Sequence, residues 1–90
     1  MNRARRKQIK DVIDRLESLQ TELAFLMEEV ENIKDDEEEY KDNMPENFQA
    51  TERYERAEEA CESLYEAYSM LEDFESSISD VTEQLESAME

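Results

Sequence analysis

Apolar residues in the first half of the chain fall at Ile9, Val12, Leu16, Leu19, Leu23, Leu26, Val30 and Ile33, and the alternation of three- and four-residue steps runs on through Glu37 and Tyr40. This spacing draws one stripe along an α-helix, with residues 9, 16, 23, 30 and 37 at heptad position a and residues 12, 19, 26, 33 and 40 at d. The second half repeats the rhythm through Ala57, Ala60, Leu64, Ala67, Leu71, Phe74, Ile78, Val81, Leu85 and Ala88. Only Glu37 breaks the apolar rule at these positions. Two long amphipathic helices are predicted, and the absence of glycine agrees, because glycine in a helix interior costs about 1 kcal/mol relative to alanine.

Between the two tracts stands the chain's one proline. Pro45 has no amide hydrogen and its ring pushes Met44 out of helical geometry, so the first helix must end nearby, with Asn43 beginning the turn. Pro45 and Thr51 both suit the start of a new helical segment, so "MPENFQAT" reads either as a short helical turn or as an irregular loop. The chain is therefore one domain, residues 1–90: helix from about 3 to 40, turn from about 41 to 50, helix from about 51 to 89, each helix about 57 Å long.

A short connection between long helices favours an antiparallel hairpin, an all-α coiled-coil arrangement. Pairing residues whose numbers sum to 97 sets every a site against a d site: Ile9 with Ala88, Leu16 with Val81, Leu23 with Phe74, Leu26 with Leu71, Val30 with Ala67, Ile33 with Leu64. The same layers serve a hairpin closed within one chain or a swapped pair. Apolar residues remain beyond this seam, namely Ile13, Met27, Tyr54, Cys61, Tyr68 and Met89 at position e, and Phe25, Tyr65 and Met70 elsewhere. Small chains commonly complete a core by oligomerising, so Ile13, Phe25, Met27, Tyr54, Cys61, Tyr65 and Tyr68 are candidates for a flank that meets a second copy, giving a four-helix bundle, or another partner.

Charge adds a second layer of information. Lys and Arg number 10 against 27 Asp and Glu, for a formal net charge of −17. Arg3, Arg5, Arg6, Lys7 and Lys10 crowd the start of the first helix and Asp35 to Glu39 its end, and both clusters oppose the helix dipole. In a hairpin the basic end lies beside Glu83, Glu86 and Glu90, and Arg53 and Arg56 lie near the acidic end. An antiparallel second copy would add further pairing, so the expected assembly is an antiparallel homodimer. One cysteine excludes an internal disulfide, no apolar run reaches the roughly 20 residues of a membrane span, and "MNRARRKQIK" lacks the apolar stretch of a secretory signal, so the expected location is the cytoplasm.

Catalytic motifs are missing. Without histidine there is no conventional triad and no Glu-x-x-His di-iron site, and without glycine no phosphate loop, dinucleotide fingerprint or EF-hand loop. No enzyme activity, cofactor or metal centre is expected; weak divalent-cation binding at Asp35 to Glu39 is the nearest approach to a metal site. Cys61, on an apolar flank, reads as a small buried hydrophobe and not as a nucleophile.

What remains is binding. Residues 11 to 90 hold five basic and 27 acidic groups, net −22, which along a rod of about 57 Å is about one charge per 2.6 Å, against about one per 1.7 Å for duplex DNA. A basic surface that grips phosphates can grip such a rod, with Glu28, Glu29, Glu31, Asp35, Asp36, Glu38 and Glu39 as leading contacts. Acidic helices are also often no more than solvated helices. Direct nucleic-acid binding through "RARRK" is opposed by the adjoining negative charge.

The segment "DNMPENFQATERYERAEEACESL", residues 42 to 64, resembles the turn region of small acidic helical-hairpin proteins of bacterial phages and mobile elements. These often begin with an "MN.ARRK" type segment, as residues 1 to 7 do here, and carry an "N.PE..Q.SERYE" type turn, matched by Asn43, Pro45, Glu46, Gln49, Glu52, Arg53, Tyr54 and Glu55. Thr51 stands where serine is expected, and both can cap a helix. The resemblance implies a phage or mobile-element origin, and with it inhibition of a basic host defence or DNA-binding protein by nucleic-acid mimicry. The alternative is a structural or adaptor coiled coil that recognises its partner through the apolar flank residues.

Overall fold

The computed structural model describes all 90 residues as two helices and a short turn: α1, Arg3–Asp42, a 3-10 turn at Glu46–Phe48, and α2, Glu52–Met89. The helices pack antiparallel into a hairpin 70 Å long and only 15 by 13 Å across. Each start is capped as its sequence allows. Asn2 accepts from the Arg5 amide at 2.8 Å, a cap that the heptad pattern does not reveal, and Thr51 accepts from the Tyr54 amide. These side-chain oxygens satisfy amides that the first helical turn leaves without partners.

α1 runs two residues beyond the expected end and stops at Asn43, whose amide bonds the Glu39 carbonyl at 3.0 Å. Pro45 then opens the short 3-10 turn, which settles the open reading of "MPENFQAT" in favour of a helical turn. Phe48 and Gln49 donate their amides to the carbonyls of Pro45 and Glu46, and Met44 is buried beneath the turn.

The seam differs from the predicted one. Position a behaves as expected: Leu23, Ala57 and Ile78 are buried, and Ile9, Leu16, Val30, Leu64, Leu71 and Leu85 are half-buried. The row that accompanies it is e, not d. Ile13, Met27 and Cys61 are buried, and Tyr54, Tyr68, Thr82 and Met89 are half-buried, so most of the expected outer flank lies inside the hairpin's own seam. Leu23, Met27 and Ile78 form the central cluster, with Leu16, Tyr68 and Leu71 against it. Conversely Val12, Leu19, Leu26, Ile33, Tyr40, Phe74 and Val81, all at d, are 43–54 % exposed.

The physical reason is the width of the stripe. Columns d, a and e are adjacent on the helix and together cover about 100° of its circumference, more than a single neighbouring helix can bury. Using a with e also accommodates the polar e residues. Gln20 donates to the Ser79 hydroxyl across the seam at 3.0 Å, and the Lys34 ammonium sits 5.9 Å from the centre of the Tyr65 ring while its stem covers apolar surface. In both cross-helix pairs the residue numbers sum to 99, a slip of two from the expected layers.

Charge compensation at the two ends also differs from expectation. Two ion pairs form, Lys34 with Asp35 and Glu52 with Arg56, and neither crosses between the helices. None of Arg3, Arg5, Arg6, Lys7 and Lys10 is paired. The long basic side chains at the open end reach into water, where holding one geometry has little electrostatic reward.

A seam this thin makes single positions count. Leu23→Ala removes a side chain only 3 % exposed and should cost about 2–4 kcal/mol in denaturant unfolding, while Phe25→Ala, two residues on but pointing outward, should change stability by less than about 0.5 kcal/mol.

Candidate binding surface

Because the helices run in opposite directions, their helical wheels mirror each other, and equivalent columns come to the same side of the flat hairpin. The two d columns share one face, which is apolar. The opposite face is built from e, b and f, and there the carboxylates of both helices converge. A shallow groove between Met27 and Tyr68 has Glu28 and Glu31 on one wall and Glu72 and Glu75 on the other. A second, nearer the turn, is lined by Glu38, Glu58, Glu62 and Glu66 around Cys61, with Lys41 and Tyr65.

The seven acidic residues singled out from sequence are all exposed, but they do not form one patch. Glu28, Glu31, Asp35 and Glu38 belong to the acidic face. Glu29 and Asp36, at position g, border the apolar face instead, and Glu39 lies on the outer edge of α1. Consecutive residues point 100° apart, so the run Asp35 to Glu39 surrounds the helix and converges on nothing. No group of three or more potential metal ligands comes together anywhere in the chain. The acidic contribution of α2, Glu58, Glu62, Glu72 and Glu75, is invisible along a single helix and joins the α1 residues only through the antiparallel pairing. Across the hairpin Glu31 faces the stretch that contains Glu66 and Glu72.

Two side chains register the local field. The Tyr68 phenol is pushed above its ordinary ionisation range, first by the Glu31 carboxylate, then by burial, with Glu72 and Glu75 adding to it and Lys34 opposing. A negative surface disfavours a further anion. The Cys61 thiol is likewise raised, chiefly by burial, with Lys41 opposing and Glu38, Glu37 and Asp42 adding. A thiol held protonated is a poor nucleophile, in keeping with its place in the seam. Every buried polar side-chain atom has a partner, so no unpaired group waits in the interior for a ligand.

The remaining flank candidates divide. Phe25 and Tyr65 are the most exposed aromatics, 59 % and 61 %, on different helices and different sides of the rod. At the turn, Tyr40, Met44, Pro45 and Phe48 surround a small apolar hollow beside Arg53. No helix is long and apolar enough to cross a membrane. Comparisons with protein-family models, with curated proteins and with solved structures give no match.

The Tyr68 field is directly measurable. Glu31→Gln removes the largest anionic neighbour and should lower the ionisation midpoint of one tyrosine in an ultraviolet pH titration, a change that disappears in the Tyr68→Phe background.

Proposed function

We propose that this chain is a non-catalytic acidic binding protein, of phage or mobile-element type, that works as a paired hairpin in the host cytoplasm and occupies the phosphate-binding surface of a basic host protein. The observation that carries this reading is the disposition of charge. Of the 27 carboxylates, 26 are exposed and only Glu37 is half-buried, so nearly the whole acidic complement is presented along a straight rod. With −17 spread over 70 Å the single hairpin has about one charge per 4 Å. Two hairpins side by side bring −34 to the same length, about one per 2 Å, close to the roughly 1.7 Å of duplex DNA.

A basic groove shaped for phosphates would meet on this rod a comparable linear charge, already ordered. The likeness of the turn to mobile-element hairpins points the same way, toward a host defence or DNA-binding protein as partner. Direct binding to nucleic acid is disfavoured, because Arg3 to Lys10 is the one basic cluster on an otherwise repelling surface. The adaptor reading loses most of its surface, since Ile13, Met27 and Cys61 are consumed by the seam and Phe25 and Tyr65 do not share a face.

The test uses the full chain as bait in host lysate. Captured proteins should be basic and nucleic-acid-binding, should be released by rising salt and by added duplex DNA, and should bind at least about tenfold more weakly to a variant with Glu28, Glu31, Glu72 and Glu75 all changed to Gln. Capture that survives high salt and is lost in Tyr65→Ala would instead establish the adaptor reading.

A further inference from the structure

The hairpin leaves a large surface unburied for its mass. Its accessible area is 7065 Å², whereas a compact monomer of 10.7 kDa is expected to expose about 5,500 Å². The apolar face contributes to this excess. It runs the length of a rod 70 Å by 15 Å, a footprint of about 1,000 Å², above the roughly 800 Å² per partner of a standard stable interface.

We infer that this face is the contact between two copies, and that the two-fold axis runs parallel to the rod, so that both turns lie at the same end and α1 of each copy covers α2 of the other. This rests on the pairing put forward above and adds its face, and it departs from the antiparallel second copy expected from the charged ends, since both basic starts now lie at one end. Two independent features carry it.

The first is size. On α1 the d column is large throughout, while on α2 it holds Ala60, Ala67 and Ala88 beside Phe74 and Val81. With the turns together, Tyr40 meets Ala60, Ile33 meets Ala67 and Val12 meets Ala88, so large side chains fill the space that alanines leave. Reversing one rod stacks α1 on α1, with Leu26 on Leu26 and Ile33 on Leu19. It also stacks α2 on α2, with Ala60 on Ala88, where the gap has nothing to fill it. With the turns together the other two layers set Leu26 with Phe74 and Leu19 with Val81, so large meets small in three layers of five, and filling the alanine gaps is what close packing favours.

The second is the rims. Along α1 the g column beside the apolar face reads Gln8, Arg15, Glu22, Glu29, Asp36, net −2. On α2 it reads Arg56, Ser63, Met70, Ser77, Gln84, net +1, and it is the one column outside the apolar a and d rows of that helix that holds no acid. Placing α1 over α2 opposes these unlike rims, with Glu22 near Ser77, Glu29 near Met70 and Asp36 near Ser63. Reversal sets Glu22 against Glu29 on both sides of the axis, with Arg15 against Asp36 farther out, so like charges meet at the middle of the rim, and like-charge contacts there count against that arrangement.

The experiment is sedimentation equilibrium at micromolar concentration together with pulsed electron-spin distances from a label at Glu46→Cys in a Cys61→Ser background. A dimer is expected, with label separations below about 30 Å, because neighbouring helices lie about 10 Å apart. Leu26→Glu should weaken association by at least about tenfold, and Phe25→Glu should leave it unchanged. A monomer in the parent chain would overturn the pairing itself. A dimer with labels about 60 Å or more apart would overturn the direction, that being the separation of opposite ends of such helices. A short separation that is indifferent to Leu26→Glu would overturn the face. None of these results depends on the host protein, so failure of the mimicry reading is read separately, in the salt and DNA elution.

Discussion

Everything in this fold depends on an apolar stripe three columns wide carried by helices that have one neighbour each. Two columns per helix go into the seam, and the third must face outward. The choice of a with e fixes the rest. It buries Ile13, Met27 and Cys61, lets Gln20 and Lys34 reach polar or aromatic partners, and gathers Val12, Leu19, Leu26, Ile33, Tyr40, Phe74 and Val81 on one side. The hairpin thereby acquires two unlike faces, one apolar and one lined with carboxylates, from a single rotation of each helix about its axis.

Electrostatics works against most of the fold, Lys41 in the last turn of α1 and Glu52 and Glu55 in the first turn of α2 being the exceptions. α1 begins with arginines and ends with carboxylates, the reverse of what its dipole favours, and α2 has no basic residue in its last turn. Only two ion pairs offset the crowding of 27 acidic groups. Stability must come from packing, in which just seven residues are buried, and from the two capped helix starts. Such a balance is tolerable because nearly all the carboxylates remain in water, where each is screened by solvent and salt.

The sequence made the helices, their limits and the hairpin legible, because a period of 3.5 residues, one proline and the cap at Thr51 each have a single mechanical meaning. The rotation of the seam was not legible from the d column alone. Positions d and e are both apolar at several layers, and a heptad label assigned by the longer apolar row says nothing about which flank the neighbouring helix takes. Gln20, Lys34 and Lys41 interrupt the e row of α1 with polar groups. In the fold Gln20 finds a hydroxyl partner across the seam and Lys34 an aromatic ring, and that is the information a one-dimensional reading lacks. The acidic face was half legible for the same reason: its α1 residues stand in a visible run, while Glu58, Glu62, Glu72 and Glu75 join them only through the antiparallel register.

Folding also explains why this composition differs from a charged tail. A disordered segment of equal charge would have to be ordered each time it met a basic groove, and the lost entropy would weaken the contact. Here each carboxylate is fixed at its base by a helix whose geometry is set by apolar contacts on the other side. The Cβ atoms of acidic residues three or four apart are then held about 5–6 Å from one another before any partner arrives. The apolar columns and the acidic columns are therefore parts of one device. Every contact that buries an a or an e side chain stiffens the rod, and a stiff rod is what turns scattered negative charge into a surface with a defined spacing.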